Sequence, residues 1–149
     1  MHIHDTDFAL YLKGKPASMV SHGTRDHRGV SQIFSTFRYD DGTVLHLEGG
    51  WNLPRHTPFK MAFRAIFERA AAIMDGGPMT IYTDGEPMVP EFPKMEAAGG
   101  GNISDLGGYY HELAEFVRRL QDGEPFTVST PESSRESLAV TLAEIAQVG

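Results

Sequence analysis

No cysteine occurs in the chain, so disulfide frameworks and thiolate metal sites are excluded. Long apolar runs are missing as well: no window approaches the roughly 18 residues that a membrane-spanning helix needs. Positive charge is scarce and nowhere clustered. The 13 Lys and Arg stand against 20 Asp and Glu, a net charge of −7. A domain of that sign without a basic run has no electrostatic reason to seek nucleic acid or anionic lipid. The start lacks the basic-then-apolar order of a secretion signal. The glycine-rich stretch Ala97 to Gly101 has neither the strand before it nor the helix after it that would make it a phosphate cradle. No internal repeat is present. These exclusions lead to the expectation of a cytoplasmic domain with a small-molecule or protein partner.

What is present is ordinary for a folded chain: 149 residues, 40% hydrophobic, 22% charged and 10% aromatic. That length suits one domain with a single sizeable core, and residues 1–149 are expected to form one. Met1 to Asp7 is expected to start as a strand. Phe8 to Leu12 should then form a short helix, capped by Asp5 or Asp7 and ended by Gly14 and Pro16. A strand is expected over Ala17 to Gly23 and a polar loop over Thr24 to Gly29. Val30 to Tyr39 is a second strand, rich in β-formers, and Asp41-Gly42 turns it into a partner over Val44 to Gly50. Pro58 to Asp75 is ambiguous: its alanines favour a helix, whereas Met61, Phe63, Ala65 and Phe67 alternate as in a strand.

Met79 to Thr83 reads as a strand, and Glu86 to Leu106, broken by proline and glycine, as an irregular mobile excursion after which Ser104 or Asp105 introduces a helix. Tyr109 to Gln121 has helical spacing and is stopped by Asp122-Gly123. Thr130 caps a last helix with Pro131 at its first position and Leu138, Leu142 and Ile145 as its apolar stripe. Strands grouped before helices predict an α+β fold, a mostly antiparallel open-faced sheet with helices packed on one face.

Chemistry concentrates at the start, where His2, His4, Asp5 and Asp7 crowd together. On a strand, His2 and His4 would share a face, and with Asp7 they would make a zinc-type ligand set, as in a metal-dependent hydrolase or lyase. Alternatively His4 works alone as an acid/base, since an imidazole titrates near neutral pH. A third possibility is that these residues only cap a helix, in a non-catalytic interaction module. Gly49-Gly50-Trp51-Asn52 is the other candidate, because a tryptophan at a strand end can wall a sugar-binding cleft as well as fill a core. The histidines elsewhere have no paired spacing.

Several of these features occur in a definite order. His4-Asp5-x-Asp7 leads to Leu12-x-Gly14-x-Pro16; Tyr39-Asp40-Asp41-Gly42-Thr43 runs on to Glu48-Gly49-Gly50-Trp51; Pro58-Phe59, Phe67-Glu68, Tyr110-x-x-Glu112-x-x-x-Phe116 and Pro131 follow. In this the whole chain resembles the C-terminal domain of the Gfo/Idh/MocA oxidoreductases, the glucose–fructose oxidoreductase and inositol dehydrogenase group.

The resemblance implies an α+β domain that supplies the substrate pocket and much of a homo-oligomer interface through its sheet face. Its partner would be an N-terminal Rossmann domain holding NAD(P), and its substrate a sugar, polyol or related hydroxy compound. It implies that His4 matches the catalytic histidine of the family's Asp-x-x-x-His motif, that Asp7, Trp51 and Asn52 contact substrate, and that His2 is a bystander. The motif's aspartate would fall one position before Met1. The family's lysine, in its Glu-Lys-Pro segment, and the Gly-x-Gly-x-x-Gly loop belong to the Rossmann half and are absent here, so this chain alone is expected to be inactive and to bind no cofactor. It further implies that Met61–Phe67 and Ala71–Met74 are strands.

Overall fold

A computed structural model describes residues 2–91 and 108–149. The chain divides into two compact units, Met1–His56 with Phe126–Gly149, and Thr57–Pro125. The fold is α+β, with two three-stranded antiparallel sheets in strand orders β1-β2-β3 and β4-β5-β6. No helix among the described residues is long and apolar enough to cross a membrane.

The first unit opens with α1, His2–Lys13. The expected strand at the start is therefore replaced by helix, and Asp5 and Asp7 lie inside it rather than capping it. Thr6 and Ala9, three residues apart, are its buried positions, which is helical and not strand spacing. Gly14 ends it at φ 72°, with its N–H donated to the Leu10 carbonyl at 2.7 Å.

β1, Ser18–Asp26, and β2, Gly29–Arg38, form a hairpin that is longer than expected. The polar loop shrinks to His27 and Arg28, and a register shift between Thr24 and Arg25 absorbs the irregularity. Asp26 stabilises that turn: it accepts the Arg28 backbone N–H at 2.8 Å and pairs with the guanidinium, which holds its carboxyl down at about 2. β2 pairs with β3, Val44–Gly50, across the expected Asp-Gly turn. There Gly42 adopts φ 83° and the Asp41 carboxylate accepts the Thr43 N–H at 3.0 Å.

The last helix, α3, Pro131–Gln147, starts as expected, with the Thr130 hydroxyl accepting the Ser133 N–H. Its expected stripe does not hold. Leu138 and Leu142 are exposed, and the face turned inward carries Ser137, Val140, Thr141 and Glu144.

Both α1 and α3 cover one face of the first sheet. Phe37, fully buried on β2, packs with Ala9 of α1, Leu47 of β3 and Val140 of α3, and Leu10, Met19, Tyr39 and Leu45 surround that cluster. Alternation puts Ser21, Ile33, Ser35, Phe37 and Leu47 on the covered side. Val20, Phe34, Thr36, Val44 and His46 lie on the open side. The covered layer is unusually polar, and its groups satisfy one another: the Ser21 and Ser35 hydroxyls meet at 2.8 Å, and the Gln147 side chain accepts the Ser21 N–H at 2.8 Å.

The second unit resolves the ambiguous segment as strands. β4, Ala62–Ile66, and β5, Ala71–Asp75, pair antiparallel with Ala65 opposite Ala72, and β6, Thr80–Tyr82, joins on the far side of β5. Phe63 faces Met74 and Arg64 faces Ile73 across a ladder that forms where alanine content alone favours a helix; pairing overrides propensity. Ile81 also exchanges backbone hydrogen bonds with Met88. α2, Gly108–Asp122, ends at Gly123, φ 66°, and Arg118 and Arg119 tie its last turns to Glu115, Asp122 and Glu124. The expected excursion after Glu91 and the helix start at Ser104 or Asp105 lie outside the described residues.

Candidate functional site

The two chemistry-bearing segments belong to the first unit and approach each other where α1 starts and β3 ends. The contact is His2 on Gly49: a Cβ added to Gly49 would lie 2.9 Å from His2 Nδ1 and 3.1 Å from His2 Cβ. Only a residue without a side chain lets the imidazole lie against the strand there. Two residues on, the Trp51 N–H bonds the Ser31 carbonyl at 2.8 Å, extending β3's pairing past Gly50. The indole itself is 61% exposed, and Asn52 is exposed too. Trp51 is thus a surface ring just past the end of β3, not core.

Helical geometry separates His2 from His4. Residues two apart stand about 200° apart around the axis, so the two rings leave α1 on nearly opposite sides. His4 is exposed. His2 points inward, its side chain only 11% exposed, with Nε2 2.9 Å from Oε1 of Glu144 on α3. The other oxygen of Glu144 accepts the Thr6 hydroxyl at 2.8 Å. His2 Nδ1 is buried without a hydrogen-bond partner and stands 3.7 Å from the Asp5 carboxylate. Burial raises the Asp5 carboxyl above the usual range, and the charges of His2 and His4 partly offset this.

Asp7 is half-buried and accepts the Ser137 hydroxyl at 2.5 Å. It borders a cavity of about 290 Å³ between α1 and the approach to α3, lined also by Phe8, Tyr11, Ser129, Ser133 and Glu136. His4, Trp51 and Asn52 do not line that cavity. Ser129 turns the chain there at φ 55°.

The structure therefore brings His2, not His4, against the end of β3, leaves His4 exposed on the other side of α1, and gives Asp7 to the α1–α3 contact. The three proposed metal ligands diverge. His2 is engaged by Glu144 and Asp7 by Ser137, and no group of three or more metal-binding side chains occurs among the described residues. One participant escapes sequence reasoning, Glu144, and His2, a candidate metal ligand or a bystander in the sequence, is its partner instead. A carboxylate is rarely interior unless paired, and nothing local in α3 announces partners on a helix more than 130 residues away. The close pair Gly49-Gly50 was the one available signal.

The described residues do not fit a nicotinamide dinucleotide. Every strand pairing among them is antiparallel. The parallel strand–helix–strand unit whose helix N-terminus would receive a pyrophosphate is thus not among them.

No protein-family profile matches the sequence, and no curated protein matches it significantly. Solved structures do match. UDP-N-acetylglucosamine 3-dehydrogenase GnnA from Acidithiobacillus ferrooxidans superposes with a TM-score of 0.73 at 22% identity, over 99% of this chain and 47% of GnnA. An oxidoreductase from Agrobacterium radiobacter, solved with NAD+, L-tartaric acid and magnesium, gives 0.74 at 13% identity, over 97% of this chain and 45% of that one. The chain thus spans about half the length of the structures it matches. Those structures are oxidoreductases of the Gfo/Idh/MocA type, and the chain has the fold of that half of them over nearly its whole length.

Proposed function

We propose that the chain is the substrate-binding and oligomerisation domain of an NAD(P)-dependent Gfo/Idh/MocA oxidoreductase acting on a sugar, polyol or related hydroxy compound. The observation that carries this is the fold match to GnnA over 99% of the chain and less than half of GnnA. One matched protein is a dehydrogenase of a nucleotide sugar and another was solved with NAD+ and a hydroxy acid, which supports a hydroxy-compound substrate. The nucleotide would be held by a separate Rossmann domain, because this chain lacks a cradle for it among the described residues. Alone, residues 1–149 would neither bind NAD(P) nor turn over.

In this proposal His4 is the acid/base. It is exposed near the start of α1, so its ring nitrogen can exchange a proton with a substrate hydroxyl or carbonyl oxygen. Trp51 offers an apolar ring face and Asn52 an amide just past the end of β3. Asp7 supports the substrate region from the α1–α3 side. The open face of the first sheet, with Val20, Phe34 and Val44 each more than 40% exposed, would bury itself against a second copy.

The test is to express the complete reading frame that contains this chain and follow nicotinamide reduction on a panel of nucleotide sugars, polyols and hydroxy acids. Turnover with one of these classes is expected, and His4→Ala should lower kcat by roughly 100-fold or more. An active His4→Ala enzyme would remove His4 from the chemistry, and failure to oxidise any of the panel would remove the substrate class. For the interface, light scattering should show self-association that Phe34→Glu abolishes; a monomer at high concentration would refute it.

A further inference from the structure

We propose that Glu144 is a positioning residue that clamps the start of α1 from behind and so fixes the orientation of His4 on its exposed side. This inference rests on the proposed role of His4. Glu144 is fully buried, and among the described residues no lysine or arginine pairs with it. Its two oxygens are divided between two residues of α1: Oε1 meets His2 Nε2 at 2.9 Å and Oε2 accepts the Thr6 hydroxyl at 2.8 Å. His2 and Thr6 are four residues apart, one above the other on the same side of the helix. His4 lies midway between them in sequence and on the opposite side. A single carboxylate therefore grips the back of the turn whose front carries the histidine.

Such a grip fixes the rotation of α1 about its axis, on which the direction of the His4 ring depends. The imidazole of His2 is also confined from the other side by Gly49, where no Cβ stands in its way. Glu144, His2 and Gly49 thus link α3, α1 and β3 in one contact, two residues from His4 and two from Trp51. Asp7 on Ser137, at 2.5 Å, adds a second tie between the same helices. Proton transfer requires the imidazole to be held close to its productive position, and a displacement of about 1 Å costs on the order of 100-fold in rate.

The experiment uses the complete oxidoreductase and compares Glu144→Leu, Glu144→Gln, Thr6→Val, His2→Ala and the His2→Ala/Glu144→Leu double variant, with His4→Ala as control. Glu144→Leu should lower kcat by roughly 10- to 100-fold with KM within about twofold. Glu144→Gln, whose amide offers an acceptor to Thr6 and a donor to His2, should recover kcat to within about threefold of the parent. The double variant should be no slower than the slower single one, because both remove the same clamp. Amide exchange over residues 6–10, whose N–H groups bond the carbonyls of the first turns, should quicken in Glu144→Leu and not in Glu144→Gln.

A folded Glu144→Leu enzyme with parental kcat, beside an inactive His4→Ala, overturns the clamp and leaves the His4 assignment standing. A fully active His4→Ala overturns the assignment and the proposal with it. Unchanged exchange over residues 6–10 in Glu144→Leu overturns the clamp whatever His4 does. Should Glu144→Leu fail to fold, Thr6→Val takes its place: slower turnover and quicker exchange support the clamp, and parental values of both overturn it.

Discussion

Replacing Gly49 by alanine tests the contact between α1 and β3 through a change of sign. The added Cβ would stand 2.9 Å from His2 Nδ1 and 3.1 Å from His2 Cβ, too close for both groups to stay. Gly49 does not use the left-handed region, so alanine suits its backbone and the effect comes from the imidazole alone. If the ring holds its place, the crowding costs about 1–3 kcal/mol. If it withdraws, the 2.9 Å contact to Glu144 is lost and a buried carboxylate keeps only Thr6 as a side-chain donor, which costs about 1.5–3 kcal/mol. These are alternatives rather than a sum, so about 2 kcal/mol is expected against folding. Alanine recovers roughly 0.5–1 kcal/mol of that by restricting the unfolded chain. The net loss is about 1–1.5 kcal/mol.

In a His2→Ala background the obstacle is gone, and the same Gly49→Ala substitution should be neutral or stabilising by up to about 0.5–1 kcal/mol. Urea denaturation of the four proteins, read as midpoints at constant slope, gives the comparison directly. An equal cost of Gly49→Ala in both backgrounds would refute the claim that His2 lies on Gly49.

Phe37→Ala should cost about 3–5 kcal/mol, because a fully buried phenyl ring at the centre of a small cluster leaves a cavity that Ala9, Leu47 and Val140 cannot fill; chemical denaturation followed by circular dichroism measures it. Thr130→Ala should remove about 1 kcal/mol through loss of the α3 cap, and Thr130→Asp should retain most of it, both readable as shifts in the same denaturation midpoint. The third prediction concerns Asp5. Because burial raises its carboxyl in the folded state, the fold binds that proton more tightly than the unfolded chain, and the associated stability is present below the usual carboxylate range and lost as pH rises through the raised value. Asp5→Asn should therefore flatten the fall in melting temperature across that window, and an unaltered pH profile would contradict it.

The elements legible in the sequence were those whose cause is local. Asp41-Gly42 forms its turn because glycine takes φ 83° and the aspartate bonds two residues on. Thr130-Pro131 starts a helix, and Gly14 and Gly123 stop two others, for reasons contained in a few residues. The start of α1 is not legible locally, because four or five residues of alternating polarity fit a strand as well as a helix, and only the packing of Thr6 and Ala9 decides. Composition likewise could not settle β4 and β5, whose strand state depends on their facing each other; resemblance to a family supplied that.

The hardest feature to foresee was the inward face of α3. A search for an apolar stripe selects Leu138 and Leu142, and these turn outward, whereas Ser137, Thr141 and Glu144 turn inward. An apolar face can be recognised from its own helix, since burial of one hydrocarbon serves as well as another. A polar face cannot, because each group is tolerated inside only where a specific partner meets it. Ser137 needs Asp7, and Glu144 needs His2 and Thr6. Reactive types such as His4 are conspicuous by kind, whereas a buried polar group such as Glu144 is known only by its neighbours.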